Sequence, residues 1–470
     1  MNGIQRQTVG LFLLAALSSF GTLGFYYVGE EGILTITSLE MWQRGDWLRL
    51  WMYGGDAQHG VFANWLVIPL ASLIGWAHVL AAARAVMVIA TVATGLVVYG
   101  LLRRLGRDAG FAALAAVIYI TFADVLLYRG WLAYRDPLFG FLVFAAIAAL
   151  WIGARESRLR WFAACGAFAF AAYLTKGVTV YVFVGGAVMV LLAFHKTRPA
   201  LLRPAAFVVT VISVVLPIIW MYGVQSGNSQ VLHYSSEIGA KLVPPSIGAW
   251  LLKLLSYPVE TIVRLLPASG FALYLYLRNP AARAGLHTDT VVLTAAWIAL
   301  LGFLPYWLAP HSHFRYLLPI VPLVAIVFAA LISQGSEGLR RNAWRGMWLV
   351  VVIKIIFVAI AFPQYQQRYR GANYAEVAAA ILQRTAGHTL YTTDVSASGL
   401  AVTAHINVIR LPQPALVFPP AEWEDGFVIA YKADKKLGLI FESYRLGGND
   451  LYLLCRGKAC IDQSKEGLRK

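Results

Sequence analysis

Eleven stretches of nearly continuous apolar sequence dominate this chain. They lie at about 9–28, 80–102, 110–128, 135–153, 160–175, 178–194, 204–223, 257–277, 290–308, 314–333 and 346–363. A bilayer core about 30 Å thick is crossed by about 20 helical residues, so each run is near spanning length. Strands of a membrane β-barrel would alternate polar and apolar residues, and these runs do not. Composition agrees. Of 470 residues, 59% are hydrophobic and 13% charged, where a soluble domain has about 45–50% and about 25%. Too few charges remain to cover a soluble surface, and a chain this apolar is not disordered. The expected fold is a polytopic α-helical membrane protein, with about 11–13 transmembrane helices.

The net charge of +16 first suggests nucleic acid, but its placement points to the membrane. The segments between the runs fall into two alternating groups. One is short and basic: Arg103 to Arg107, Arg155 to Arg160, Lys196 to Arg203, Arg278 to Arg283 and Arg340 to Arg345. The other is longer and mixed: 29–79, 129–136, 224–256 and 309–315. The positive-inside rule puts the basic group and the N-terminus in the cytoplasm. A further apolar segment, Val61 to Trp76, would break the alternation as a span, so it reads as an interfacial helix on the outer face. The first run has a signal peptide as its alternative reading. Its length and the carboxylates that follow favour an uncleaved first span.

Residues 1–363 form the expected membrane domain. Residues 364–470 hold 13 Lys and Arg against 10 Asp and Glu, a soluble balance, and read as a small α/β domain on the outer face. A helix is expected over Tyr374 to Gln383. Strands are expected at His388 to Thr393, Ile406 to Leu411, Gly426 to Lys432, Gly438 to Glu442 and Asp450 to Cys455. Cys455 and Cys460 flank a short turn, where a disulfide and two free thiols are both open readings.

Candidate chemistry gathers on the outer side. Glu30 and Glu31 follow the first span, where aromatic or basic residues are the usual flanks. Asp136 precedes Pro137 at the start of another span, a position that also suits a helix cap. Arg129, Arg135, Lys176, Lys241 and Arg315 lie on a side where cations are normally depleted. They either snorkel to lipid phosphates or bind an anionic substrate. His59, His233, His311 and His313 share that side, and solvated loop histidines are their ordinary explanation. Lys354 sits deep in the last run, where it either snorkels or pairs with a buried acid such as Asp124 or Glu260. No Gly-x-x-x-x-Gly-Lys-Ser/Thr nucleotide loop is present.

Over most of residues 1–335 the motifs resemble the GT-C superfamily of bacterial membrane glycosyltransferases. These are related to protein O-mannosyltransferases and the lipid A aminoarabinose transferase. The carriers are Glu30-Glu31, then Glu40-Met41 and Gly45-Asp46-Trp47, then Asn64-Trp65-Leu66, Asp136-Pro137-Leu138, Leu174 to Gly177, and Arg315 to Pro319. Three departures stand out. Glu30 replaces the family's usual Asp, Gln58-His59 replaces a charged pair, and the prolines before Trp65 are absent.

The resemblance implies inverting sugar transfer from a polyprenyl-phosphate donor to a lipid, polysaccharide or protein acceptor at the outer face of a bacterial inner membrane. Glu30 and Asp136 would be the central carboxylates, with Glu31 in support. Lys176, Arg315, Arg135, His59 and Lys241 would bind the donor phosphate. His233 would be the candidate ligand for a divalent metal ion. Membrane lipids are expected partners and nucleic acid is not. The rival readings are a transporter or flippase, which Lys354 and Asp124 keep open, and a degenerate relative that binds lipid-linked sugar without turnover.

Overall fold

A computed structural model describes residues 3–57, 60–224, 242–244, 246–369, 373–446 and 449–461, with Ser236 and Gly239. The chain divides into two compact units, one made of Met1–Gly21 and Ala85–Ile356, the other of Thr22–Arg84 and Phe357–Lys470. Residues 22–84, read from sequence as part of the membrane domain, thus belong with the C-terminal segment.

The first unit is helical. Among the described residues, six helical stretches are long and apolar enough to cross a membrane: Trp76–Arg104, Arg135–Glu156, Leu159–Ala193, Pro204–Gly223, Thr290–Leu308 and Glu337–Tyr365. Shorter apolar helices include Ala109–Ile120 and Val321–Ser333. The helix Arg135–Glu156 is central and buried along nearly its whole length. It reverses at Ser157, in a left-handed conformation, into Leu159–Lys176. Gly153 permits the tight return, because a Cβ there would lie 3.1 Å from that of Trp161.

Several runs are interrupted where one span was expected. The run 257–277 is two helices, Ile247–Arg264 and Ala268–Arg278, separated at Pro267, whose nitrogen has no hydrogen to donate. The run 110–128 ends its α-helix at Ile120 and continues as a π-helical turn, Asp124–Arg129. The run 314–333 opens with a 3-10 turn, Phe314–Leu317, before Val321–Ser333.

The second unit is built on a four-stranded sheet of β3 (Leu390–Thr392), β4 (Gly426–Ala430), β5 (Leu439–Leu446) and β6 (Asn449–Arg456), in the order β3-β4-β6-β5. β3 and β4 run parallel and the other neighbours antiparallel. A two-stranded hairpin, β1 (Trp51–Met52) and β2 (Gly55–Asp56), stands apart from the sheet. Phe427, Ile429 and Leu453 of the sheet share one core with Ile381, Leu400 and Ile406, and with Ile36 and Tyr53 from the early segment.

The segment Ile406 to Leu411, expected as a strand, instead ends the helix Ala397–Ile409. Ser396 caps that helix by accepting from the Gly399 amide at 3.1 Å. Its residues from Ser398 to Ala404 are all buried. Burial on every side erases the periodicity that distinguishes helix from strand.

The helix Glu31–Arg44 packs on Ala397–Ile409 through Gly32, where an added Cβ would stand 2.8 Å from the Leu400 backbone. The helix Phe62–Ile74 packs on Glu31–Arg44 through buried Asn64, which donates to Thr37 and Ser38 at 2.9 Å each. Leu66, Leu73 and Ile74 remain exposed on it. Cys455 and Cys460 are disulfide-bonded.

Candidate active site

In the first unit, the hairpin of Arg135–Glu156 and Leu159–Lys176 returns the end of the second helix to the start of the first. Asp136 and Lys176 therefore meet as an ion pair. Asp136 is buried in the first turn, where the helix macrodipole also favours a carboxylate. Lys176 ends its helix because Gly177 follows with φ +71°, a left-handed backbone that few side chains tolerate. Its ammonium stands 4.6 Å over the Tyr316 ring and 5.8 Å over Phe139. The Arg315 guanidinium is 5.3 Å from the same Tyr316 ring. Tyr306 lies 6.0 Å from Tyr316 and stacks on Phe183.

Asp136, Lys176 and Arg315, chosen from sequence at three distant positions, thus form one cluster around Tyr316. Arg135 adjoins it in sequence at the head of the same helix. His313 is 5.9 Å from Tyr316, and burial, aided by the Arg315 and Arg129 charges, holds it below the usual histidine range. It is therefore neutral at pH 7 and a candidate hydrogen-bond partner.

A second ion cluster lies in the same unit. Arg264 bonds both Asp124 and Glu260, and its guanidinium stands 5.5 Å over Phe314. These acids were expected to partner Lys354. Arg264 takes both, and Lys354 stands 4.8 Å over the buried Trp131 ring. The i,i+4 spacing of Glu260 and Arg264 was the available signal. Phe314 also lines an apolar cavity of about 260 Å³, walled by Leu265, Ala299, Phe303, Leu317 and Val324.

In the second unit, the adjacent acids take different places. Glu30 is exposed and precedes the helix that Glu31 begins. Gly29 adopts φ +58° to bring the chain into that start. Glu31 is fully buried. Its carboxylate accepts from Arg84 through both oxygens and from the Val28 amide at 2.8 Å. Sequence reasoning missed Arg84, although a lone arginine inside an apolar run is itself a signal. Glu40, of the Glu40-Met41 motif, is also buried and accepts from the Tyr53 and Gly54 amides at 2.6 and 3.2 Å. Asp46, of Gly45-Asp46-Trp47, accepts from the Trp51 indole at 3.0 Å and from the Leu48 and Arg49 amides. Both motif acids therefore brace turns.

His59, Lys241 and His233 lie outside the described residues. Among the described residues, no group of three or more His, Cys, Asp or Glu is arranged to hold a metal ion.

Residues 249–404 match the Alg9-like mannosyltransferase family, less than half of the chain. The undecaprenyl phosphate-alpha-4-amino-4-deoxy-L-arabinose arabinosyl transferase of Pseudomonas aeruginosa is 26% identical over 380 residues, covering 76% of this chain and 65% of the relative. The enzyme of the same name from Pseudomonas paraeruginosa is 27% identical over 378 residues, with the same coverage. The chain therefore spans 65% of the length of these curated relatives. The crystal structure of ArnT from Cupriavidus metallidurans bound to undecaprenyl phosphate superposes with a TM-score of 0.73 at 15% identity, covering 95% of this chain and 97% of that one. The apo form of the same protein gives 0.72. At that identity the likeness is one of fold. Sequence and fold thus both liken this chain to the GT-C superfamily of membrane glycosyltransferases.

Proposed function

We propose that this protein transfers a sugar, with inversion, from a polyprenyl-phosphate donor to a hydroxyl of an acceptor at the outer face of a bacterial inner membrane. One observation carries the reading: the Asp136–Lys176–Arg315–Tyr316 cluster and an apolar cavity beside Phe314 occur in the same helical unit. A lipid-linked phosphate needs both, cations for its headgroup and an apolar channel for its tail. The name of the Pseudomonas relatives makes undecaprenyl-phosphate 4-amino-4-deoxy-L-arabinose the first donor to test.

In this reading Glu30 takes the proton of the acceptor hydroxyl. The acceptor oxygen then bonds to the anomeric carbon as the bond from that carbon to the phosphate oxygen breaks. The electron pair leaves on polyprenyl phosphate, and Lys176 and Arg315 meet its charge. Asp136 fixes the Lys176 ammonium. Arg135, His59 and Lys241 extend the phosphate set, and His233 is the metal candidate. The N-terminus is cytoplasmic and the C-terminal segment faces the periplasm.

The test offers purified protein a panel of undecaprenyl-phosphate sugars with lipid A, another glycolipid, a polysaccharide or a protein as acceptor, and reads product by mass spectrometry. Glu30→Gln and Asp136→Asn are each expected to lose about 100-fold or more in turnover. Full turnover in either would remove that residue from the mechanism. Donor flux across proteoliposomes without chemical change would replace the reading with a transporter.

A further inference from the structure

We infer that Arg84 is a positioning residue that holds the turn carrying Glu30 in one fixed attitude. The inference rests on the reading of Glu30 as the base. Arg84 lies near the start of the helix Val79–Arg104 and is fully buried. An arginine offers five N–H donors in a planar fork, and here that fork spans the whole turn. Nε donates to Glu31 Oε1 at 2.9 Å and Nη2 to Glu31 Oε2 at 2.5 Å. Nη1 donates to the Thr22 carbonyl at 2.9 Å and the Phe25 carbonyl at 2.6 Å, and Nη2 also donates to the Tyr26 carbonyl at 2.7 Å. Three carbonyls and one carboxylate, spread from Thr22 to Glu31, thus converge on one guanidinium.

This segment has no helix or strand between Phe20 and Glu31 to hold it. Beyond a backbone turn in which the Phe25 amide donates to the Thr22 carbonyl at 3.2 Å, its shape comes from side chains. Glu31 also accepts from the Val28 amide, so the chain immediately before Glu30 is tied to the same node. The two adjacent acids divide the work. Glu31 is the buried anchor and Glu30, one residue earlier, is the exposed group. The arginine cation and the Glu31 carboxylate neutralise each other, so the anchor adds no net charge beside Glu30. Lysine cannot replace this node, because one ammonium places its three donors on a single atom. A reacting group displaced by about 1 Å can lose about 100-fold in rate.

The test uses the full-length protein in nanodiscs as Arg84→Lys, Arg84→Met, Glu31→Gln and Glu30→Gln. Amide exchange is read over 22–31 and, as a control, over Ala397–Ile409. Turnover uses the best donor of the panel above, and affinity uses undecaprenyl phosphate. Arg84→Lys is expected to raise exchange over 22–31 about tenfold with the control helix unchanged. It should lower kcat tenfold or more while KM and undecaprenyl phosphate affinity stay within twofold. If Arg84→Met fails to fold, Arg84→Lys and Glu31→Gln carry the comparison. Unchanged exchange over 22–31, or unchanged kcat in folded Arg84→Lys, would overturn the positioning role. Full turnover by Glu30→Gln would instead refute the reading of Glu30, and the exchange result would still decide whether Arg84 holds the turn.

Discussion

The pair of Asp136 and Lys176 joins a stabilising role to a chemical one, and the two can be separated. The Asp136 side chain is 7% exposed and that of Lys176 28%. Removing the cation alone, by Lys176→Met, leaves a carboxylate with little access to water and without its ion-pair partner. Breaking a buried pair this way costs about 3–5 kcal/mol. Access of water to Lys176 and the favourable helix N-terminus at Asp136 reduce that to about 2–3 kcal/mol. Adding Asp136→Asn removes the stranded charge, so the double variant should regain about 1–2 kcal/mol over Lys176→Met. Turnover should not return, because the departing phosphate still lacks its cation, a loss of about 100-fold or more. Thermal unfolding in detergent and release of undecaprenyl phosphate from the donor measure the two quantities on the same samples. A double variant no more stable than Lys176→Met, or one with restored turnover, would refute the reasoning.

Further expectations follow from particular contacts. Gly32→Ala pushes a Cβ to 2.8 Å from the Leu400 backbone, which cannot yield as a side chain would. It should cost about 1–3 kcal/mol by limited proteolysis of the second unit, whereas Gly10→Ala, with nothing within 4 Å, should cost nothing. Val324→Trp should fill the apolar cavity and raise KM for an undecaprenyl donor about tenfold or more while sparing a two-isoprene donor, since only the long tail needs that space. Burial raises the Asp394 carboxyl above its ordinary value, against the opposing hydrogen bonds from Ser396. A group raised on folding stabilises below its unfolded pKa, and that contribution fades as pH climbs through the folded value. Asp394→Asn should therefore flatten the loss of second-unit stability from about pH 4 upward and stabilise the protein at pH 7, as read by circular dichroism across pH.

Much of this architecture is visible in local patterns. Apolar runs mark the helices, and Asp136-Pro137 marks a helix start because proline suits a first turn. Lys176-Gly177 marks a helix end for the complementary reason. What escaped is long-range or concealed by burial. The run 257–277 gave no hint of strength equal to its apolarity that Pro267 would divide it. Arg84 is a lone charge inside an apolar run, and nothing local shows that Glu31 and three carbonyls surround it. The helix Ala397–Ile409 is buried on so many sides that its alternating Ile406 and Val408 imitate a strand. The association of residues 22–84 with the C-terminal segment has no local signature. It depends on contacts such as Gln43 with the Gln413 carbonyl at 2.9 Å and the Ala415 amide at 3.1 Å, across more than 350 residues of chain.

That discontinuity has a kinetic cost. The helix Glu31–Arg44 is made well before the helix it packs against through Gly32, which is encoded near residue 400. At about 5–20 residues per second, synthesis leaves an interval of about 20–70 s between the two. Throughout that interval Leu400, Ile406 and Phe427 do not yet exist to cover Ile36 and Tyr53. The segment bearing Glu30 is thus made well before the residues that complete its core. A chain halted shortly before residue 400 would carry every candidate charged residue and still lack the surface that steadies its first carboxylate.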